Sequence, residues 1–559
     1  MAPDSTVAEE VGRALVERGI DHVFGVVGSG NFHVTNAMIA AGARFVAARH
    51  EGGAATMADA FARTTDRPSA VTVHQGCGLT NAMTGITEAA KSRTPVVVVA
   101  AEVTEPRSNF FVDQEALALA VGAVPFRVDD PATAAETARD AVRTAVGSRR
   151  TVLLNLPLSV QAAEARGGTS PRSKGEISAS SPAGEPPPRP RRTPTSADLD
   201  RLAEAVRRAE RPVFVAGRGA RGAGPALAAA AELSGALLAE SAVAKGLYAG
   251  HPWSLGVSGG FASPGAAELI GNADLIVGWG CTLNMWTMRH GTLIAPGATV
   301  VQVDDTPEAL GAHRELTFGV LGDVTETADA LAARLGAEAR PGYRTDDVRR
   351  RLEAGIGWAT EPYDDLGGNG LIDPRTLTRD LDALLPEDRL VAVDSGNFMG
   401  YPSAYLRVQD HHSFCFTQAF QSIGLGLATG IGAAVASPGR LTVAALGDGG
   451  ALMSAMELET AVRLGLDLLV VVYDDHAYGA EVHHFGPDGA PLDTVVFPDT
   501  DIAAIARGFW FDAVTVRAAA DLDAVRAWLD AGRPRPMLVD AKVADQQPSW
   551  WLEEAFRGH

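Results

Sequence analysis

Residues 446–479 read LGDGGALMSAMELETAVRLGLDLLVVVYDDHAYG, and their order decides the fold. A strand-like run closes at Gly447-Asp448-Gly449-Gly450, a helix-compatible stretch follows, and the apolar DLLVVVY closes at Asp474-Asp475. Strand, helix and strand in succession form the crossover unit of a parallel sheet. Both acidic ends therefore belong at the carboxyl edge, where open α/β sheets bind ligands. Asp448 and Asp475 stand 27 residues apart and can share one hard cation. Glycines 447, 449 and 450 let backbone N–H groups approach a phosphate. The spacing predicts a Mg²⁺-diphosphate site; a plainer reading, two acidic helix caps, fits the same residues.

The alternation extends outward in both directions. HVFGVV, FVAAR, SAVTVH and PVVVVAA alternate with helix-like stretches near the start, PVFVAG, ADLIVGWG and ATVVQVD in the middle, and RLVAVDSGN, RLTVAALGD and PMLVDAKV towards the end. Strands alternating with helices imply parallel sheets covered on both faces. The expected fold class is α/β, with three doubly wound parallel-sheet domains over residues 1–165, 197–340 and 370–545. Residues 166–196 (RGGTSPRSKGEISASSPAGEPPPRPRRTPTS) are a Pro/Ser-rich linker by composition, residues 341–369 a polar linker, and 546–559 a C-terminal tail.

Composition narrows the function. A chain of 559 residues is too long for one core, and 46% hydrophobic with 21% charged residues is ordinary for a globular protein. The 68 acidic against 48 basic residues give −20, which speaks against nucleic acid or an anionic membrane as partner. Cys77, Cys281 and Cys415 are odd in number and far apart, so they imply neither a disulfide framework nor a zinc site. The start of the chain carries no signal-peptide pattern and no apolar run is long enough to span a bilayer, so a cytoplasmic location is expected.

With these residues in view, the chain resembles the thiamine diphosphate (ThDP) enzymes of the acetolactate synthase, pyruvate decarboxylase, benzoylformate decarboxylase and benzaldehyde lyase type. That family carries GDG, about two dozen residues, and usually NN; this chain has DD in its place. VFGVVGSGN, RHEGGAATMADAFAR and HQGCGLTNAMTGITEAAKSRTPVVVV resemble its pyrimidine-binding domain, the middle block its central domain, and SFCFTQAFQSIGLGLATGIGAA the segment over the cofactor. The resemblance implies a metal held by Asp448, Asp475 and the Ala477 carbonyl. It implies further cofactor contacts at Gly396, Asn397, Gly447, Gly449, Gly450 and Tyr478, with Ile423 as the apolar wedge that keeps the cofactor bent. Glu51, after the strand-like FVAAR, matches the glutamate that bonds the aminopyrimidine and promotes loss of the thiazolium C2 proton; on residues alone it equally reads as a helix-start charge.

Four residues address the substrate. His74, ending SAVTVH, matches a proton-transferring histidine of benzoylformate decarboxylase that acetolactate synthases lack, and Ser29 matches a serine of the same decarboxylase. Glu481, six residues past Asp475, matches the catalytic glutamate of pyruvate decarboxylases; burial against the cofactor would raise its pKa. Gln114 resembles an active-site glutamine of acetolactate synthase and benzaldehyde lyase. A satisfied loop histidine, turn chemistry, a solvated helix glutamate and a surface amide are the plainer readings of these four.

The middle block holds a competing motif. Gly217-Arg-Gly219-Ala-Arg-Gly222 after a strand, with Glu240 further on, formally fits a dinucleotide fingerprint, and FAD is the lesser cofactor alternative. The leading expectation is a ThDP- and Mg²⁺-dependent lyase that decarboxylates a 2-oxo acid and protonates the resulting enamine or passes it to an aldehyde or ketone. An acetolactate-synthase-type carboligase is the runner-up, and a non-catalytic dinucleotide-binding protein the reading from another class. The resemblance implies a homodimer or homotetramer.

Overall fold

The computed structural model describes residues 5–165, 184–186, 191–545 and 547–555. The described residues form three six-stranded sheets, every pairing parallel. The first contains β1 (His22–Gly25), β2 (Arg44–Ala47), β3 (Ser69–Val73), β4 (Val96–Glu102), β5 (Val124–Arg127) and β6 (Val152–Pro157), in the order β2-β1-β3-β4-β6-β5. The second contains β7 (Pro212–Ala216), β8 (Leu237–Glu240), β9 (Ser254–Val257), β10 (Leu275–Trp279), β11 (Thr299–Asp304) and β12 (Phe318–Leu321), in the order β12-β11-β10-β7-β8-β9. The third contains β13 (Arg389–Val393), β14 (Phe414–Phe416), β15 (Leu441–Gly447), β16 (Leu468–Asp474), β17 (Asp512–Val516) and β18 (Met537–Lys542), in the order β14-β13-β15-β16-β18-β17. The α/β class with three parallel sheets is therefore as the alternation predicts.

The central strands are continuous apolar runs, such as VVVVAAE and LLVVVYD, buried along their whole length. That is what helices on both faces of a sheet require. In each sheet one chain reversal leaves a gap between neighbouring strands that leave in opposite directions: β1 and β3, β7 and β10, β13 and β15. Ligands of such folds enter at these points.

The first and third sheets share one apolar core. The Glu51–Thr65 helix packs along the Gly426–Ala436 helix, with Met57 and Phe61 against Leu427 and Ile431. Both helices are rich in Gly and Ala, so their backbones approach closely; a methyl group on Gly432 would stand 2.8 Å from Met57 Cα. Arg63 ties the same face, with ion pairs to Asp59 (2.6 Å) and Glu88 (2.7 Å) and a bond to Phe416 O (2.9 Å).

The linker expected at 166–196 lies mostly outside the described residues. The stretch 341–369, expected as a linker, carries the helix Asp346–Ala354, whose Val348 packs into the core of the second sheet. Of the tail expected at 546–559, residues 547–555 include the helix Trp550–Ala555, and Trp551 is buried against Tyr401 and Phe261; residues 546 and 556–559 are outside the described set. No helix among the described residues is long and apolar enough to cross a membrane.

Candidate active site

A cavity of about 710 Å³ opens at the gap between β13 and β15. From the end of β13 come Asp394, Ser395, Gly396 and Asn397; from β15, Gly447 to Gly450; from β16, Asp475, Ala477, Tyr478 and, on the helix Gly479–Phe485, Glu481. Ile423, Gln418 and Gln421 form one wall, Met285 and Trp286 of the second domain another, and Gln547 and Leu552 of the C-terminal stretch close the mouth. The cofactor-side residues predicted from the sequence, Glu51 excepted, thus line one cavity.

Its electrostatics are acidic. Burial, and next the charge of Asp474, push the Asp448 carboxyl up to about 6. Burial and the charge of Asp448 push Asp475 up to about 8, against a hydrogen bond from Asn397. The DD pair divides its duties. Asp474 is bound by Lys542 Nζ at 2.5 Å, which also pairs with Asp499 at 2.8 Å and Asp540 at 3.3 Å, so its charge is met within the protein. Asp475 faces the cavity, as the resemblance implies for the second member of the pair. Asp448, Asp475 and the Ala477 carbonyl make an all-oxygen donor set, and no Lys or Arg is among the described residues lining the cavity. A divalent cation relieves two raised carboxyls in that setting, so the residues fit one.

The turn beneath is equally specific. Asp394, fully buried and pushed up to about 6 by that burial, accepts the N–H groups of Ser395 (2.9 Å), Gly424 (3.0 Å) and Leu425 (3.2 Å). It fixes the residues that follow Ile423 and lies under Gly450, where any methyl group would overlap its Oδ2. The strap before Ile423 is held from the first domain, since Glu88 accepts Ala419 N (3.1 Å) and Phe420 N (2.6 Å). A backbone surface kept open by glycine, beside carboxylates that can share a divalent cation, fits a diphosphate.

Ser29, His74 and Glu51 sit elsewhere, at the gap between β1 and β3. Ser29 Oγ and His74 Nε2 are 3.4 Å apart. With its proton on Nδ1, His74 donates to Gln75 O at 3.1 Å and turns Nε2 towards Ser29. Glu51 opens its helix and accepts a bond from Asn81 Nδ2 on Oε2 at 3.1 Å; Oε1 lies beside Gly78. None of these residues lines the 710 Å³ cavity. The two groups of residues therefore do not share that cavity.

Gln114 and Glu481 differ in their surroundings. Gln114 is buried with both ends of its amide engaged: Oε1 accepts Gly76 N (3.3 Å) and Nε2 donates to Asn155 (2.8 Å). It braces the His74–Cys77 turn instead of facing open space. Glu481 lines the cavity but is exposed in this chain, not buried. Sequence reasoning passed over Asp394 and Asn81. Asp394 had a signal, since RLVAVD ends an apolar run on an acid just as LTVAALGD does; Asn81 had none.

The glycine fingerprint of the second domain does not fit a dinucleotide. Gly217 N bonds to Trp279 O (2.9 Å) and Gly219 N to Gly280 O (3.0 Å), so the turn is packed on the β10 end. Glu240, expected on a ribose, is buried and accepts Gly246 N (2.8 Å) and Tyr248 N (3.1 Å). Arg221 reaches the carbonyls of Arg63 (2.8 Å) and His411 (3.1 Å) in the other two domains.

Comparison with known proteins agrees with this arrangement. Residues 5–119 match the model of the thiamine pyrophosphate enzyme N-terminal TPP binding domain, 199–331 that of the central domain, and 394–541 that of the C-terminal TPP binding domain. A sulfoacetaldehyde acetyltransferase of Rhodobacter capsulatus is 29% identical, over 99% of this chain and 96% of its own. A Pseudomonas aeruginosa protein named "Probable 2-ketoarginine decarboxylase AruI" is 30% identical over 94% and 92%. A catabolic acetolactate synthase of Raoultella terrigena is 25% identical over 95% and 94%.

Proposed function

Given that the chain belongs to the thiamine pyrophosphate enzymes, matched across all three of their domains, we propose that it uses ThDP and Mg²⁺ to decarboxylate a 2-oxo acid and then protonates the product. The observation that carries this is the Asp448–Asp475 pair, two buried carboxyls raised to about 6 and about 8 on a cavity floored for a diphosphate. When bound there, ThDP supplies the nucleophilic carbon and the electron sink that CO₂ loss requires. Asp448, Asp475 and Ala477 O hold the metal; Gly449 and Gly450 admit the diphosphate; Ile423 fills the space beneath the ring junction.

The half-sites imply the assembly. Two copies that place the β1/β3 gap of one over the β13/β15 cavity of the other complete both sites, so the active form is at least a homodimer. Exposed Val27, Phe32, Phe110 and Phe111 near one half-site, and Phe420, Met453, Met456 and Phe497 near the other, are the apolar surfaces such a pairing covers. Glu51 Oε1, its other oxygen taken by Asn81, presents a proton to the pyrimidine nitrogen. Glu481 from the opposite wall would deliver the proton that ends the reaction, and His74 would do so from Nε2 only as the imidazolium, with Ser29 beside it.

Protonation is favoured over ligation because Gln114, the residue that resembles the carboligases, is buried with each end of its amide bonded within the first domain. The test is an NMR product profile of EDTA-stripped protein given pyruvate, and separately 5-guanidino-2-oxopentanoate, with and without ThDP and Mg²⁺. Aldehyde formed only with both cofactors supports the reading. Acetolactate or acetoin as the product overturns it in favour of the carboligase. Glu481→Gln is expected to slow aldehyde release by roughly a hundredfold and to raise the share of ligated product; an unchanged share removes its assigned role.

A further inference from the structure

Glu457 carries an inference that rests on the paired-copy reading above. It belongs to the third domain, opening the helix Glu457–Arg463 just after the helix Asp448–Met453. Its carboxylate is buried, at 2% exposure, and points into the first domain. There it accepts Arg49 N at 3.1 and 3.3 Å and His50 N at 2.9 Å, the two residues directly before Glu51. Thr460 Oγ1 donates to it at 2.6 Å. The approach needs Gly53, where a methyl group would stand 2.5 Å from Glu457 Oε1.

The same helix holds the rest of that loop. Glu459 accepts from Arg49 Nε at 2.6 Å, and Arg463 donates to Ala47 O at 2.5 Å. A carboxylate that takes the N–H of an N-cap residue fixes the chain's entry into the helix, as the glutamate of a capping box does, and Glu457 takes those of the N-cap His50 and of Arg49 before it. The helix in question begins at Glu51.

In a pairing where each cofactor lies between the first domain of one copy and the third of the other, residues 448–457 serve two sites. Asp448 and Gly450 build one; Glu457 sets Glu51 of the other. We propose that Glu457 is a positioning residue for Glu51, acting on the cofactor site that its own domain does not build. A misplacement of about 1 Å at a reacting group costs on the order of a hundredfold in rate, and a carboxylate anchored by several bonds is the kind of support that prevents it.

The experiment uses heterodimers assembled from two differently tagged full-length chains. One copy carries Asp448→Ala, which leaves a single intact site, made by the first domain of that copy and the third domain of the other. Glu457→Gln is then placed in the Asp448→Ala copy or, separately, in its partner. The readouts are ThDP bound per heterodimer, its Kd, and the rate at which the thiazolium C2 proton of bound cofactor exchanges in D₂O. In the Asp448→Ala copy, which supplies the working Glu51, the substitution is expected to slow exchange about tenfold or more with Kd nearly unchanged. In the partner it is expected to change neither. Equal effects in both placements, or none in the first, overturn the proposal. Glu457→Asp, which keeps the charge but withdraws it by one methylene, is read in the same way and decides the matter where the Gln variant does not assemble. Two cofactors or none per Asp448→Ala heterodimer would overturn the paired-copy reading itself, and the proposal with it.

Discussion

The gap between β7 and β10 and the gap between β13 and β15 are the same topological feature, each fed by a glycine-rich turn and each with acids nearby. One is shut. At the first, Gly217 and Gly219 bond to the backbone at the end of β10, and a methyl group on Gly217 would stand 2.6 Å from Cys281 Cα. Glu240 spends its carboxylate on two backbone N–H groups, and Arg221 spends its guanidinium on carbonyls of the neighbouring domains. At the second, glycines front an open cavity, and burial raises both Asp448 and Asp475, helped by the charge of Asp474 on the first and of Asp448 on the second, with no Lys or Arg among its described lining residues. Glycine spacing says only that something approaches the backbone closely. Whether that is another strand end or a ligand depends on which polar groups the fold leaves unmet.

The largest effect follows from breaking the open gap. Asp448→Ala removes one of two carboxylates from the donor set, and turnover is expected to fall roughly a thousandfold, with Mg²⁺-dependent ThDP binding lost in calorimetry. Gly450→Ala comes next. The added methyl group meets Asp394 Oδ2, and Asp394 is held by several backbone N–H groups and cannot retreat. Cofactor affinity is expected to weaken by roughly a hundredfold, about 3 kcal/mol, while the fold persists. A Gly450→Ala protein that binds ThDP normally would show that this turn does not carry the diphosphate.

Much of this was legible in the sequence because parallel strands buried on both faces leave an unbroken apolar record, ended by the acids and glycines of the carboxyl edge. LLVVVYDD and LTVAALGDGG give both strand and site at once. What was not legible depends on partners far along the chain. Glu457 meets His50 across 407 positions, and nothing in MELETAV marks that glutamate as different from the exposed acids around it. Gln114 reads as a free amide until Asn155 and Gly76 are brought to it. The dinucleotide fingerprint misleads for the same reason, since its spacing records the close approach of Gly280 and not of a pyrophosphate. The stretch 341–369 is mostly polar, and a few scattered apolar residues, Val348 and Leu352 on the helix with Tyr343 and Ile356 beside it, anchor it to the core.

The shut gap makes a pH prediction. Burial raises the Glu240 carboxyl from 4.5 to about 7. The unfolded chain releases that proton near 4.5 and the native protein only near 7, so between these values the native state holds more protons. Stability therefore falls as pH rises through this window, by about 3 kcal/mol in total, and is flat in this contribution above it. Glutamine at 240 keeps a carbonyl for one of Gly246 and Tyr248, sets its NH2 against the other N–H, and has no proton to exchange with solvent in this range. Urea unfolding of Glu240→Gln at pH 5, 6, 7 and 8 is expected to lack that part of the slope. An unchanged slope would mean that the carboxylate has a counter-charge or ligand at this gap. Gly217→Ala is expected to cost about 1–3 kcal/mol through overpacking against Gly280 and Cys281, with ThDP affinity of the folded protein untouched.

The smallest effect is the sharpest test of the comparison. Gly222 is the last glycine of the fingerprint, the one a dinucleotide site would need for close packing of helix on strand. Here it lies in a short 3₁₀ turn, Arg218–Ala223, and a methyl group added to it meets nothing within 4 Å. Alanine also has the smaller backbone entropy to lose on folding. Gly222→Ala is therefore expected to shift unfolding by under about 0.5 kcal/mol, on the stabilising side, and to leave turnover and cofactor content as they are. If the variant instead loses activity, or sheds a flavin or nucleotide that the parent protein carries, then the gap between β7 and β10 opens to a ligand in solution, and the difference between the two gaps is one of occupancy and not of packing.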